Sequence, residues 1–314
     1  MADATVSYLG QINATDPKDD LFLKKFSGEV LTAFSTNNVM EGRHMVRNIN
    51  SGKSAQFPAT WKASASTHSP GEQITGGQIK HGEVVITIDD LLVSPVFVAN
   101  IEEAKNHYDV RSIYSTEMGR SLAKTYDQNV LQTAVLAARS SGESGISEAP
   151  GGSQLLNDSY KDDGTALASG MFKARQTLDE KDVPEEDTVC IFRPAQYYLI
   201  IQNTDSINKD WGGQGSYADG EVVKIAGVPV IKSNNLPKTN ITSGNTKYQG
   251  DFSTTAGLVM HRMAAGTVKL LDLAIESEYQ VSRQGTLMVG KYAVGHGKLR
   301  PECAVELALD TISF

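Results

Sequence analysis

The sequence predicts an α+β fold, and three observations carry that prediction. Helical patterns gather in the middle of the chain while strand patterns dominate both sides of it. Val110 to Arg139 contains no proline and only one glycine, Gly119, and repeats Met118, Leu122, Tyr126, Val130, Ala134 and Ala138 every four residues. That spacing draws one slowly drifting apolar stripe along a helix of roughly 45 Å, far longer than the usual three turns. Residues 51–82, by contrast, run without a single Leu, Val or Met. A stretch so poor in apolar side chains cannot build a core of its own.

In chain order, the residues up to about Pro17 are polar and are expected to be mobile. Leu21, Leu23, Phe26, Val30, Leu31 and Phe34 then fall at helical spacing and predict an amphipathic helix or arm. Residues 51–82 are rich in Ser, Thr, Gly and Lys, with Phe57, Trp61, Ile74 and Ile79 as the large apolar side chains. A structureless loop of this length would be functional or disordered, and alternation around Phe57 and Trp61 suggests a third option, a long two-stranded arm that leaves the body of the protein. An isolated hairpin is marginal in water, so such an arm needs another surface to lie on. In a chain without a visible catalytic site, a neighbouring copy is the expected surface. Val84 to Leu92 reads as one strand with Asp89-Asp90 at its exit. Asn100 with Glu103 resembles a capping box for a short helix ending near Tyr108, and Asp109 caps the long helix. Ser140-Ser141-Gly142 stops that helix.

Gly142 to Gly164 reads as a connector. Thr165 to Lys181 reads as a helix with Leu167, Met171, Ala174 and Leu178 on one face. Val189 to Phe192 is a short buried strand, and Pro194 opens the next helix, to Gln202. Asp205 to Gly220 is a glycine-rich surface loop containing Trp211. Glu221–Ile225 and Val228–Ile231 form a hairpin around Ala226-Gly227. Phe252–Val259, Thr267–Leu273, Val281–Leu287 and Lys291–Leu309 supply the closing strands.

Composition narrows the function. The 314 residues carry 29 basic and 37 acidic side chains, a net charge of −8. A dedicated nucleic-acid binder would show a basic face instead. The start MADATVSYLG lacks a basic segment followed by an apolar one, and no apolar run approaches the roughly 20 residues that span a bilayer. The chain is therefore expected to be soluble, unprocessed and intracellular at synthesis, with no membrane partner, and its three N-x-S/T sequons read as chance matches. Cys190, inside Val189-Cys190-Ile191-Phe192, reads as a small buried hydrophobe, and no disulfide to Cys303 is expected.

The search for catalytic, cofactor or metal sites returns none. Gly52-Lys53-Ser54 imitates the end of a phosphate-binding loop, but Arg47 stands where the pattern needs glycine. Gly212-Gly213-Gln214-Gly215 precedes no helix that would turn N–H groups toward phosphate. The six histidines include no H-x-x-x-H pair. His44 and His81 flank the arm and read as neutral surface residues. Asp89-Asp90 reads as a turn rather than as paired catalytic carboxylates. Asp162-Asp163 and Glu185-Glu186-Asp187 read as solvated charges.

A set of segments resembles one family. These are Phe22 to Phe34, Arg43 to Arg47, Ser51 to Pro58, Asn106 to Ser112, Met260-His261-Arg262, Gly266 to Leu270, Lys291 to Gly297 and Leu299 to Glu302. They resemble, in the same order, the major capsid proteins of short-tailed, T-seven-like tailed bacteriophages. The likeness covers nearly the whole chain from about residue 20 and is looser between about Ser140 and Asn240. It implies the HK97-type capsid fold, with an N-terminal arm at 1–45 and an extension loop at 46–88. A peripheral domain with a spine helix follows at 89–187, an axial domain at 188–256, and return strands of the peripheral domain at 257–314.

The resemblance also implies hexamers and pentamers that close an icosahedral shell around packaged double-stranded DNA, with a portal at one vertex. The virion capsid is then the site of residence, and the host cytoplasm the site of assembly. Because the likeness begins near residue 20, leaving no space for a fused scaffolding domain, a separate scaffolding protein is expected. No Asn and Glu are visibly placed to weld Lys53, Lys62 or Lys80 into an isopeptide bond, so no cross-link is expected. The inter-subunit candidates on the arm are Lys53, Phe57, Trp61, Ile74 and Ile79. Two other readings compete. An enzyme would use the arm as an active-site lid, with turnover depending on Asp89 or His81. A binding module would use the strand-rich tail as its ligand surface.

Overall fold

A computed structural model describes residues 20–60, 63, 65, 67–71, 73–74, 76–77, 79–99, 110–142, 150–202, 215–216, 221–222 and 224–311. The expectations for the first residues, Trp61, the short helix after Asn100, the Asp109 cap and Trp211 fall outside these. The chain divides into two compact units. The first comprises Met1–Val39, Asp89–Asp127 and Leu270–Val294, and the second Met40–Ile88, Gln128–Lys269 and Gly295–Phe314.

In the first unit, helix α1 (Asp20–Asn37) packs on the N-terminal part of α2 (Val110–Ala138), and both lie against strands. Strand β4 (Leu92–Ala99) pairs antiparallel with β15 (Gly285–Lys298), from Tyr292↔Leu92 to Gly285↔Ala99. Val30, Met118 and Met288 form the buried centre, with Val96 and Val98 from β4 and Leu273 and Ile275 from β14 (Ala265–Gln280) around it. The lone glycine of α2 has a packing reason, since a Cβ on Gly119 would stand 2.6 Å from Ala33 Cβ and 2.7 Å from Val30 O. Phe34, Tyr126 and Tyr292 meet edge to face at 6.0–6.3 Å. The Tyr292 hydroxyl donates to Leu122 O at 3.2 Å.

The second unit holds a six-stranded sheet in the order β5-β16-β13-β6-β10-β9. Its strands are β5 (Ser153–Leu156), β6 (Thr188–Phe192), β9 (Lys224–Ile225), β10 (Val228–Lys232), β13 (Thr255–His261) and β16 (Ala304–Ala308). Every residue of β6, β13 and β16 is buried, as their near-continuous apolar runs require. Helix α3 (Gly164–Glu180) buries Leu167, Met171, Ala174 and Leu178, the face read from the sequence. Helix α4 (Pro194–Gln202) opens on its proline. Short pairs β7 (Gly215–Ser216) with β8 (Glu221–Val222) and β11 (Asn240–Ile241) with β12 (Gly250–Asp251) complete the unit, together with β1 (Met45–Asn48), β2 (Ser54–Thr60) and β3 (His81–Thr87).

Helix α2 matches its expectation to within one residue. All six stripe residues are buried, and Gly142, at φ +124°, lies just past its end.

Three local readings are corrected. The single strand Val84–Leu92 is two strands, β3 ending at Thr87 and β4 starting at Leu92, because the chain turns through Ile88–Leu91 and Asp89 N binds Val294 O at 3.1 Å. The strand predicted at Val281–Leu287 opens instead with a 3₁₀ turn at Val281–Arg283, closed by Gln284 at φ 48°. A left-handed residue there reverses the chain between β14 and β15, which apolar spacing does not reveal. The connector after Gly142 contains β5, parallel to β16. Asp163 is exposed, as read, and has a further role: its Oδ1 accepts from Thr165 N at 2.8 Å and caps α3. Asp163→Ala should therefore cost about 1 kcal/mol in denaturant unfolding, whereas Asp162→Ala should be near neutral.

Candidate inter-subunit surface

The arm begins as a regular ladder. β2 and β3 pair antiparallel from Ser54↔Thr87 to Thr60↔His81. Period-two alternation sends Ala55, Phe57 and Ala59 to one face of β2, and Ser54, Gln56, Pro58 and Thr60 to the other. Ala55 and Ile86 enter a buried cluster with Val268 and Leu299, flanked by Met45, Ile49, Phe57, Val84 and Ile88. The arm therefore does not leave the body at its root. The root is core, which offsets the marginal stability of a lone hairpin.

The five candidates separate along this arm. Lys53 is exposed at the corner where β2 starts, and its carbonyl accepts from Ile88 N at 2.9 Å. Gly52, at φ +112°, turns this corner into a strand, not into a phosphate-binding helix. Phe57 is half-buried at the root, with the Arg47 guanidinium 5.7 Å from its ring centroid. Arg47 also donates to Gln56 O at 2.5 Å. Ile74 is 77% exposed and Ile79 43% exposed. Trp61 lies outside the described residues. The structure thus brings Lys53 and Phe57 to the root and leaves Ile74 and Ile79 bare farther along.

A second exposed surface, in the first unit, escaped the sequence reading. β4 alternates, with Val96 and Val98 inward and Val93, Pro95 and Phe97 outward. Val93 and Phe97 remain 47% and 41% exposed. On the same outer face Lys291 of β15 pairs with Glu276 of β14. The readable signal is the run Leu92-Val93-Ser94-Pro95-Val96-Phe97-Val98, apolar on both faces although its proline marks an edge strand.

The buried polar groups are structural. Glu306 is fully buried in β16 and accepts from Arg139 Nε (2.7 Å) and Nη2 (2.6 Å), from Thr255 Oγ1 (2.7 Å) and from Gln154 Nε2 (2.8 Å). Burial pulls the Arg139 guanidinium down, but the hydrogen bonds and charge of Glu306, with Asp251, outweigh it and raise its pKa. Burial lowers Arg193 to about 10, with Glu306 opposing.

His44 is buried, not a surface residue. Its Nδ1–H donates to Met40 O at 2.8 Å, and burial lowers its pKa to about 4. His296 shares a 2.8 Å hydrogen bond with Thr267 Oγ1, and burial, then His44 and Lys247, lower it to about 3. Cys190 and Cys303 are free and buried. Burial pushes the Cys190 thiol well up and, with Glu302, pushes Cys303 up to about 12, so neither is a thiolate nucleophile near neutrality.

Among the described residues, no group of three His, Cys, Asp or Glu side chains is placed to hold a metal ion. His81 is exposed at the start of β3 and Asp89 sits in the β3–β4 connection. The strand-rich tail offers no open binding face at β13 and β16, which are buried throughout.

A core-rooted arm, a long helix and a buried mixed sheet define the HK97-type architecture of phage shell proteins. The chain is similar to the protein in the capsid structure of cyanophage P-SCSP1u, with a TM-score of 0.80 and 46% identity, covering 99% of this chain and 100% of that one. It shares the fold of the mature capsid of bacteriophage PhiM1, with a TM-score of 0.73 and 15% identity over 99% of this chain and 93% of the other. It is 37% identical to the major capsid protein of Escherichia phage T7, over 93% of this chain and 92% of that protein. To the major capsid protein of Enterobacteria phage T3 it is 36% identical, over 93% and 92%. The family described as Gp10A-like major capsid protein matches residues 56–308, and the chain belongs to that family. It is a structural capsid protein of a tailed phage, not an enzyme.

Proposed function

We propose that copies of this chain form hexamers and pentamers of an icosahedral shell enclosing double-stranded DNA, and that the arm joins neighbours within it. The observation that carries the arm reading is a root buried in its own core beside a far part that leaves Ile74 77% exposed. A large apolar side chain so bare, on a segment without a core, is stabilised when another copy covers it. Phe57, Trp61, Ile74 and Ile79 serve as apolar anchors and Lys53 as a polar contact. The extension loop is assigned to 46–88, after an N-terminal arm at 1–45. The peripheral domain is assigned to 89–187, the axial domain to 188–256 and the return strands to 257–314. The division of the two units between Ile88 and Asp89 supports the end of the extension loop. A separate scaffolding protein acts during assembly in the host cytoplasm, a portal occupies one vertex, and DNA lies inside without specific contacts.

The paired ends Thr60 and His81 permit a clean test. Residues 61–80 are replaced by Asn-Gly, which closes a two-residue hairpin while leaving the root intact. Sedimentation and negative-stain electron microscopy, with scaffolding protein present, should show a folded, unassembled protein and no closed shells. Normal shells from this variant would sink the arm reading.

A further inference from the structure

The root of the arm is held by two features. First, β3 lies on bare backbone. A Cβ at Gly295 would approach Thr87 O to 2.1 Å, and one at Gly297 would approach Ile86 Cγ1 to 2.7 Å. The absent side chains let β3 settle directly onto β15, with Ile86 only 2% exposed. Bordering this bed is a cavity of about 570 Å³, lined by Val84–Thr87 of β3, by Gly297 of β15, by Thr133 and Leu136 of α2, by Arg139 just past the end of α2, and by Lys247. Second, the exposed Lys247 at this cavity donates from its ammonium to Thr87 O at 2.7 Å. Thr87 is the last residue of the ladder, paired with Ser54, the first residue of β2.

Lys247 itself is rigidly mounted. It sits in the 3₁₀ turn Thr246–Tyr248, whose cap Asn245 accepts from Lys247 N at 3.2 Å. The next side chain, Tyr248, is anchored by a 3.1 Å bond from His296 N to its hydroxyl. A charged donor on a capped turn thus binds the terminal carbonyl of the strand that carries the arm, at the edge of the cavity.

We infer that Lys247 is a positioning residue for the arm: it fixes the direction in which the β2–β3 ladder leaves its glycine bed, and so where the far end of the arm meets a neighbouring copy. This rests on the reading that the arm joins subunits. A charge-assisted bond from an exposed lysine to a carbonyl at a cavity edge is modest, and biases the ladder toward one orientation by about tenfold.

The test reads root and shell separately. Hydrogen exchange on the unassembled full-length protein should show amides of Ser54–Gln56 and Ile86–Ile88 exchanging roughly tenfold faster in Lys247→Met, with the six-stranded sheet unchanged. Lys247→Arg should restore protection. With scaffolding protein present, Lys247→Met should give irregular or open shells, and Lys247→Arg regular ones. Unchanged exchange at the root, or faster exchange spread through the whole second unit, would overturn the inference. So would Lys247→Arg behaving like Lys247→Met. Faster exchange at the root alone with regular shells would also overturn it as a device for assembly. In that case the hairpin-closing replacement of 61–80 still decides, by itself, whether the arm joins subunits.

Discussion

Glu306→Ala should destabilise the second unit by about 3–5 kcal/mol, the cost of stranding a buried charge. The carboxylate is fully buried in the central strands and accepts four hydrogen bonds, two from one guanidinium in a fork. Removing it leaves Arg139, whose side chain is only 21% exposed, with Asp251 alone as a nearby negative charge, and leaves Thr255 and Gln154 with unmet donors. Arg193 also loses the nearby negative charge that opposes its desolvation. Arg139→Met should be comparably harmful, because it maroons the buried carboxylate. The double variant Arg139→Met, Glu306→Leu should recover much of the loss, since an apolar pair of similar volume removes both desolvation costs at once. Thermal unfolding of the unassembled protein would read the single change as a fall in Tm of roughly 10 °C. A drop of only a degree or two, or a double variant worse than both singles, would show that the network does not stabilise the fold in this way.

That network marks where sequence reasoning ends. Arg139 and Glu306 are 167 residues apart, and neither belongs to a local pattern that announces a partner. Glu306 stands in Ala304-Val305-Glu306-Leu307-Ala308, where alternation alone places its side chain without saying what it meets. The α2 stripe and the α3 face were legible because helical periodicity is a local property, repeated over many residues. The arm was legible for the opposite reason, as a conspicuous lack of apolar residues bounded by strand patterns. Its root was not. Whether Ile86 faces a glycine or a leucine depends on Gly295 and Gly297, some two hundred residues later. The reading of His44 as a surface residue failed similarly, since its burial comes from a fold that brings Thr267 and His296 into the same unit. The outer face of β4 was missed because the strand read from Val84 ends at Leu92, which leaves 93–99 without an element. Of the five arm candidates, the sequence identified the apolar character of Ile74 and Ile79. It did not separate them from Phe57, which the structure ties to the core.

Acid should weaken the second unit through His44 and His296, and the sign follows from burial. In the unfolded chain both imidazoles protonate near 6.5, whereas in the fold they resist until about 4 and about 3. Above pH 6.5 both are neutral in either state and contribute no pH dependence. As pH falls from 6.5 toward 4, the unfolded chain takes up protons that the folded unit refuses, and stability drops by about 1.4 kcal/mol per pH unit for each fully developed site. The loss continues for His296 alone down to about 3. The charges that enforce neutrality are Lys269 and Arg262 beside His44, and Lys247 and His44 itself beside His296. Carboxylates also titrate in this window, so the decisive quantity is a difference between proteins. His296→Gln removes one titrating group while retaining an amide that can bond Thr267 Oγ1. Its own unfolding free energy will be lower at pH 7, but its slope against pH between 6 and 4.5 should be shallower by nearly one proton. Denaturant unfolding of the unassembled protein at closely spaced pH values measures that slope directly. Identical slopes for the two proteins would mean that His296 is already protonated in the fold and that its burial does not hold it neutral.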